Sequence, residues 1–139
     1  MSVQPGQAIP EWVMPEVSAA RMRTMAAILR DPNPLHWDRE AVDALPLGLG
    51  KRTINQGPLG LSYILNMLQA WAGPEAVKRI RMTFPQVVLD GERVIARGTV
   101  TAVSDGRAEC EVWLEEAERG RLLVGQAWVD LGMLMADEQ

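Results

Sequence analysis

Asp31, Asn33 and His36 stand within one run of eight residues, Asp31-Pro32-Asn33-Pro34-Leu35-His36-Trp37-Asp38. His36 is the only histidine in a chain of 139 residues. A carboxylate, an amide and an imidazole presented together on one short segment can serve as an acid–base site. Asp31 and Asn33 each precede a proline, which biases both away from helical geometry. The segment therefore reads as a stiff, extended loop, and loops on a rigid scaffold are where catalytic groups concentrate. The competing reading is an ordinary turn, with Asp and Asn bonding their own backbone and the histidine purely structural. Asp38 reads as a helix cap rather than an acid–base group.

The flanking patterns supply the scaffold. Met1 to Pro15 carries prolines at 5, 10 and 15 around one apolar patch, Trp12-Val13-Met14. It reads as an extended arm with at most an edge strand. Ser18 can cap a helix to Leu29, with Met22, Met25, Ala26 and Leu29 at helical spacing. Arg21, Arg23 and Arg30 are read as lying toward its later turns, where the macrodipole favours cations. Asp38 to Leu45 is a short helix and Pro46 to Gly50 a loop. Thr53-Ile54-Asn55 is a brief extended piece. Gly57-Pro58 opens a helix to Ala72 that has no charged residue. Leu61, Ile64, Leu65, Leu68 and Trp71 form its expected core face, widened by Met67 and Ala72, and so apolar a helix is expected to be buried on most sides. Four strands follow, at 77–84, 92–103, 107–117 and 121–131. In the second, Val94, Ala96, Gly98, Val100 and Ala102 alternate with polar residues. Ser104-Asp105-Gly106 signals a hairpin. Residues 136–139 are expected to fray. One long helix before a run of antiparallel strands predicts an α+β domain, the sheet curled round the helix over 1–139.

Composition narrows the function classes. The net charge of −4 argues against a non-specific nucleic-acid binder. One cysteine, Cys110, excludes an internal disulfide framework and a Cys-rich metal site, and no metal is expected. Cys110 falls on an inward-facing strand position and reads as core. The first ten residues lack a basic segment and an apolar core, so a signal peptide is not expected. No apolar run approaches the ~18 residues that span a membrane, and a cytoplasmic location is expected. Five Trp and eight Met against one Phe and one Tyr give apolar surfaces suited to an oligomer contact.

Asp31-x-Asn33-Pro34-Leu35-His36-x-Asp38 resembles the hydratase motif of the MaoC-like, (R)-specific enoyl-CoA hydratases, which have the hotdog fold. Gly57 opens the apolar helix where that family has a glycine after a short strand. Phe84-Pro85-x-Val87-x-x-x-Gly91-Glu92 resembles the family's stretch after the hotdog helix. The likeness in layout runs from Val17 to Leu131. Two departures stand out. Leu29-Arg30 replaces the family's frequent Ser-Gly before the aspartate, and Gln56 replaces its common histidine before the glycine.

The resemblance implies reversible hydration of a trans-2-enoyl thioester. Asp31 and His36 would activate the water and deliver the proton, with Asn33 in support. The Gly57 backbone N–H would form the oxyanion hole, since Pro58 has no N–H to offer. Gln56 would line the substrate pocket, and Lys51 and Arg52 would meet the phosphates of coenzyme A. No cofactor is implied, because coenzyme A belongs to the substrate. The implied partners are the acyl-CoA and a second chain: a homodimer or higher homo-oligomer, or a heteromer with another MaoC-like chain. Neither nucleic acid nor membrane is implied. The alternatives are a hotdog acyl-CoA thioesterase and a non-catalytic acyl-CoA-binding subunit of a heteromeric hydratase. The absence of Asp and Glu from Gly57 to Ala72 counts against the thioesterase.

Overall fold

The computed structural model describes residues 2–132 and 134, so the expected fraying of 136–139 lies outside the described residues. Five strands form one antiparallel sheet: β1 (Ala8–Met14), β2 (Val77–Thr83), β3 (Val94–Ser104), β4 (Arg107–Glu116) and β5 (Gly120–Asp130). Their order is β1-β3-β4-β5-β2, so the N-terminal arm supplies one edge and β2 the other. β1 starts earlier than the apolar patch suggests. It tolerates Pro10 because the register shifts between Ile9 and Trp12, on an edge strand.

The β3–β4 hairpin closes through Asp105 and Gly106, both left-handed at φ 52° and 75°. This is the twist that two-residue hairpins favour. The expected alternation along β3 holds through Val100 and then fails, because the register shifts between Val100 and Ala102. Ala102 is therefore exposed, and Val103 packs against the core in its place.

The long helix is α3 (Gly57–Ala72), the span read from the sequence. It touches every strand, and Trp12 of β1 stacks on its Tyr63 with ring centroids 5.7 Å apart. Its buried face is Gly60, Tyr63, Ile64, Met67, Leu68 and Ala72. Leu61, Leu65 and Trp71 are only half-buried, and Asn66, Gln69 and Ala70 are exposed. The expected face is thus shifted only in part: Ile64, Met67, Leu68 and Ala72 are buried as expected, and the exposed positions of the helix are Pro58, Asn66, Gln69 and Ala70. The small Gly60 and the Tyr63 and Met67 side chains let the helix sit on the sheet along that line.

Two shorter helices precede it: α1 (Ala19–Leu29), capped by Ser18, and α2 (Arg39–Asp43), capped by Asp38. Of the expected α1 stripe only Met22 is buried, and Leu29 is exposed. The α1 charges also depart from expectation: its last turn holds no basic residue. No helix among the described residues is long and apolar enough to cross a membrane.

Cys110 lies on β4, 1% exposed, and burial pushes its thiol up to about 11. A thiolate is the reactive form. Cys110 should therefore resist an aromatic disulfide reagent at pH 8 and react fully once the protein is unfolded in denaturant, as followed by released thiolate absorbance.

Candidate active site

The last turn of α1 aims the Asp31 loop. Arg30 adopts a left-handed conformation, φ 52° and ψ 41°, where glycine is usual. Arg30 N–H then donates to the Ala27 carbonyl, and Asp31 N–H reaches back to Ala26 at 2.9 Å. A left-handed residue with a side chain costs on the order of 1 kcal/mol, and such strain collects at functional sites.

Beyond it the loop braces itself. Asp31 Oδ1 accepts from Asn33 N–H at 3.2 Å. Asn33 Oδ1 accepts from Leu35 N–H and caps a 3-10 turn over Pro34–His36. Trp37 Nε1–H donates to the Pro32 carbonyl. The local bonds of an ordinary turn are therefore present. Asn33 supports Asp31 through its backbone, while its side-chain oxygen is spent on the cap.

The geometry goes further than a turn. His36 Nε2 stands 3.5 Å from Asp31 Oδ2, with side-chain exposures of 14% and 42%. His36 Nδ1 lies 2.7 Å from the Ile54 carbonyl. A carbonyl only accepts, so Nδ1 carries the proton and Nε2 of the neutral ring keeps its lone pair toward Asp31. Ile54 also donates its N–H to the Leu35 carbonyl at 2.8 Å. One residue thus holds the loop by both of its backbone groups.

Ile54 leads within three residues to the start of α3. There Leu59 and Gly60 N–H both bond the Gln56 carbonyl, and Pro58 has none. The Gly57 N–H is left without an acceptor among the described residues. A free N–H at the positive end of a helix is a donor suited to an oxyanion. Ile54 and Gly57 both line a cavity of about 130 Å³. Asp31 opens onto a different groove of about 470 Å³, walled by Arg23, Ala26, Ala27, Arg30 and Trp37.

The segment 53–55 is itself clamped. Asn55 N–H donates to the Val88 carbonyl and Asp90 N–H to that of Thr53. The buried Asp90 carboxylate accepts from Thr53 N–H at 2.7 Å, from Thr53 Oγ1–H at 2.6 Å and from Arg39 at 3.2 Å. Glu92 takes Leu89 N–H and the Arg119 guanidinium, which also bonds the Val87 carbonyl. Replacing Asp90 with Ala leaves the Thr53 N–H buried and unpaired and its hydroxyl with only the weak Met22 sulfur acceptor at 3.9 Å. At 1–3 kcal/mol for each orphaned group, it should destabilise the fold by about 3 kcal/mol, read from urea unfolding.

The family model described as MaoC like domain matches residues 3–119. The chain belongs to the MaoC-like dehydratase family. This MaoC-like domain resembles an (R)-hydratase from A. caviae involved in PHA biosynthesis, with a TM-score of 0.82 and 25% identity over 94% of this chain and 98% of the other. It also resembles the R-hydratase PhaJ1 of Pseudomonas aeruginosa, TM-score 0.80 and 18% identity over 92% and 81% of the two chains. A chain of the ChsH1-ChsH2 complex of Mycobacterium tuberculosis gives TM-score 0.78 and 22% identity over 94% and 98%. No curated protein matches by sequence. The hotdog fold expected from the motif is thereby established, and hydration or dehydration is the reaction class the family carries.

The remaining sequence candidates fall unevenly. Gln56 is buried at 2% exposure, and its Nε2 donates to the Met22 carbonyl at 2.8 Å. Lys51 is fully exposed and pairs with Glu40 at 3.0 Å; that bond and the nearby carboxylates raise its pKa. Arg52 is exposed, and neither basic residue lines the groove at Asp31. Arg23 and Arg30 do, and they were read only as helix charges. Asp90, Arg39 and Arg119 were missed as positioning groups. A carboxylate directly after Val87-Val88-Leu89 was the available signal for the first of them.

Proposed function

We propose that this MaoC-like domain adds water reversibly to a trans-2-enoyl thioester of coenzyme A, yielding the 3-hydroxyacyl thioester. One observation carries the reading. Ile54 binds the His36 ring by its carbonyl and shares a cavity wall with the free Gly57 N–H, so the acid–base loop is tethered to the segment that carries the oxyanion donor.

In the forward direction Asp31 Oδ2 and His36 Nε2 hold a water between them. His36 Nε2 takes a proton as the water oxygen bonds to C3, and electrons shift to the thioester oxygen. The Gly57 N–H stabilises that oxygen, and the proton then passes to C2. An oxyanion donor contributes ~10²–10³-fold and a placed acid–base group ~10²–10⁴-fold. No cofactor enters. Arg23 and Arg30, on the groove beside Asp31, are better placed for the phosphates of coenzyme A than Lys51, which Glu40 engages.

Ile28, Leu29 and Trp37 are exposed near this groove, which favours a site completed by a second chain. HadBC of Mycobacterium tuberculosis, a 3R-hydroxyacyl-ACP dehydratase complex, is a distant relative in fold at TM-score 0.65 and 14% identity over 92% of this chain and 97% of the other. A second copy of this chain is the first partner to test.

The experiment is loss of enoyl absorbance when purified protein meets crotonyl-CoA and longer trans-2-enoyl-CoAs, alongside light scattering for the oligomer. Release of free thiol from acyl-CoA without hydration would overturn the proposal in favour of a thioesterase.

A further inference from the structure

Three buried side-chain atoms among the described residues lack any hydrogen-bond partner: Asn55 Nδ2, Asn55 Oδ1 and Gln56 Oε1. All belong to the two residues before Gly57, and both residues line the cavity of about 130 Å³ at the α3 start. Asn55 is 6% exposed and Gln56 2%. Native interiors rarely leave such groups unmet, and each one asks what completes it.

The chemistry of the three atoms limits the answer. Gln56 Nε2 is tied to the Met22 carbonyl, which fixes the free end as oxygen. Burial raises the Tyr63 pKa and an interaction with the Asn55 side chain offsets part of that rise, so the Tyr63 hydroxyl competes for Asn55 although no hydrogen bond of full geometry forms. The set therefore offers one amide donor and two acceptors. A thioester carbonyl only accepts, so it would leave both oxygens unmet. A hydroxyl accepts from the amide and donates to one of the two oxygens, so it meets more of the set than a carbonyl does. The other walls are mostly apolar, Phe84, Val88 and Leu123 among them, with Gly60 keeping the floor low; Gln86 also lines the cavity, and its Nε2 is engaged by the Arg119 and Arg121 carbonyls. An added Cβ at Gly60 would meet Leu123 at 3.4 Å and Asn55 Nδ2 at 3.6 Å.

We infer that the cavity is a subsite for a hydroxyl group borne on the acyl chain, held by the Asn55 carboxamide and Gln56 Oε1. This rests on the hydratase reading and narrows its substrate class to enoyl thioesters with a hydroxylated acyl group. A hydrocarbon chain would displace solvent from the same cavity and leave the amides unpaired, the situation in which hydrogen-bonding sites discriminate most strongly.

The test compares kcat/KM for trans-2-hexenoyl-CoA with its 5-hydroxy and 6-hydroxy derivatives, and for trans-2-octenoyl-CoA with its 7-hydroxy and 8-hydroxy derivatives. At least one hydroxylated substrate should be preferred by ~100-fold, the worth of two hydrogen bonds in a desolvated site. Asn55→Leu, close in volume, should cut that preference at least tenfold. Its thermal midpoint should hold or rise, since an unpaired amide is removed, and this checks folding. Equal kcat/KM for every pair overturns the inference and leaves the hydratase reading intact. If nothing is turned over, calorimetry on hexanoyl-CoA and octanoyl-CoA against their saturated hydroxy derivatives decides. Tighter binding of one hydroxy form keeps the subsite while the hydratase reading falls; equal binding means the cavity holds only water.

Discussion

Asp31→Asn should lower kcat for enoyl-CoA hydration by ~10³-fold and leave the folded structure standing. The substitution is close to isosteric. An asparagine oxygen can still accept from Asn33 N–H, the bond that now holds Asp31 Oδ1 at 3.2 Å. The backbone bond from residue 31 to the Ala26 carbonyl is untouched. The side chain is 42% exposed, so no deeply buried charge is lost and stability should shift by less than about 1 kcal/mol. What disappears is a carboxylate facing His36 Nε2 across 3.5 Å. An amide cannot share the proton of the attacking water or balance charge on the imidazole. Steady-state kinetics with crotonyl-CoA and urea unfolding separate the two effects. Hydration within tenfold of wild type would remove Asp31 from the acid–base role.

His36→Ala is the less clean companion. It deletes the ring and also its bond to the Ile54 carbonyl, so the loop loses a tether to the segment that carries Gly57. Activity should fall at least as far, with some loss of stability. The comparison tells whether the ring works by chemistry alone or also by holding the loop.

How much of this could be read without coordinates depends on how local each signal is. The bounds of α3 were legible because Gly57-Pro58 and Gly73-Pro74 punctuate a run with no charge. The Asp38 cap was legible for the same local reason. Which face of α3 is buried was legible only in part, because an almost wholly apolar helix leaves periodicity with little contrast. The β3 alternation broke at a bulge, whose extra residue leaves no mark in an apolar pattern. In the site, Asp31 and His36 were legible as a pair because five residues separate them. Their tie to Ile54 spans eighteen residues and runs through a backbone carbonyl, which every residue possesses. The Asp90 clamp spans thirty-seven residues and depended on a fold not yet in view. The cavity polarity was glimpsed only through Gln56, while Asn55 passed as part of a short strand.

Gly125→Ala should be the most damaging single-methyl change in the protein, costing about 4 kcal/mol or more. Gly125 lies on β5 opposite Met82 of β2 and Val112 of β4. A Cβ there would overlap the Arg81 carbonyl oxygen and the Met82 sulfur, and would stand 2.9 Å from Met82 Cα. The sulfur can swing away, but a carbonyl inside a strand ladder cannot move without breaking β2 from β5. Two other glycines serve as controls. At Gly106 nothing lies within 4 Å, and only its left-handed φ of 75° resists a side chain, so alanine should cost about 1 kcal/mol. At Gly57 the added carbon would meet Phe84 at 3.6 Å, an ordinary contact, so alanine should fold almost normally. A shared loss of stability at all three would mean that backbone freedom matters and the close approach of β2 to β5 does not. The predicted order, Gly125 far above Gly106 and Gly106 above Gly57, would tie the cost to that approach. Leu123, two residues from Gly125 on β5, walls the cavity at the α3 start. The same packing that excludes a methyl group at Gly125 therefore holds one side of that cavity in place.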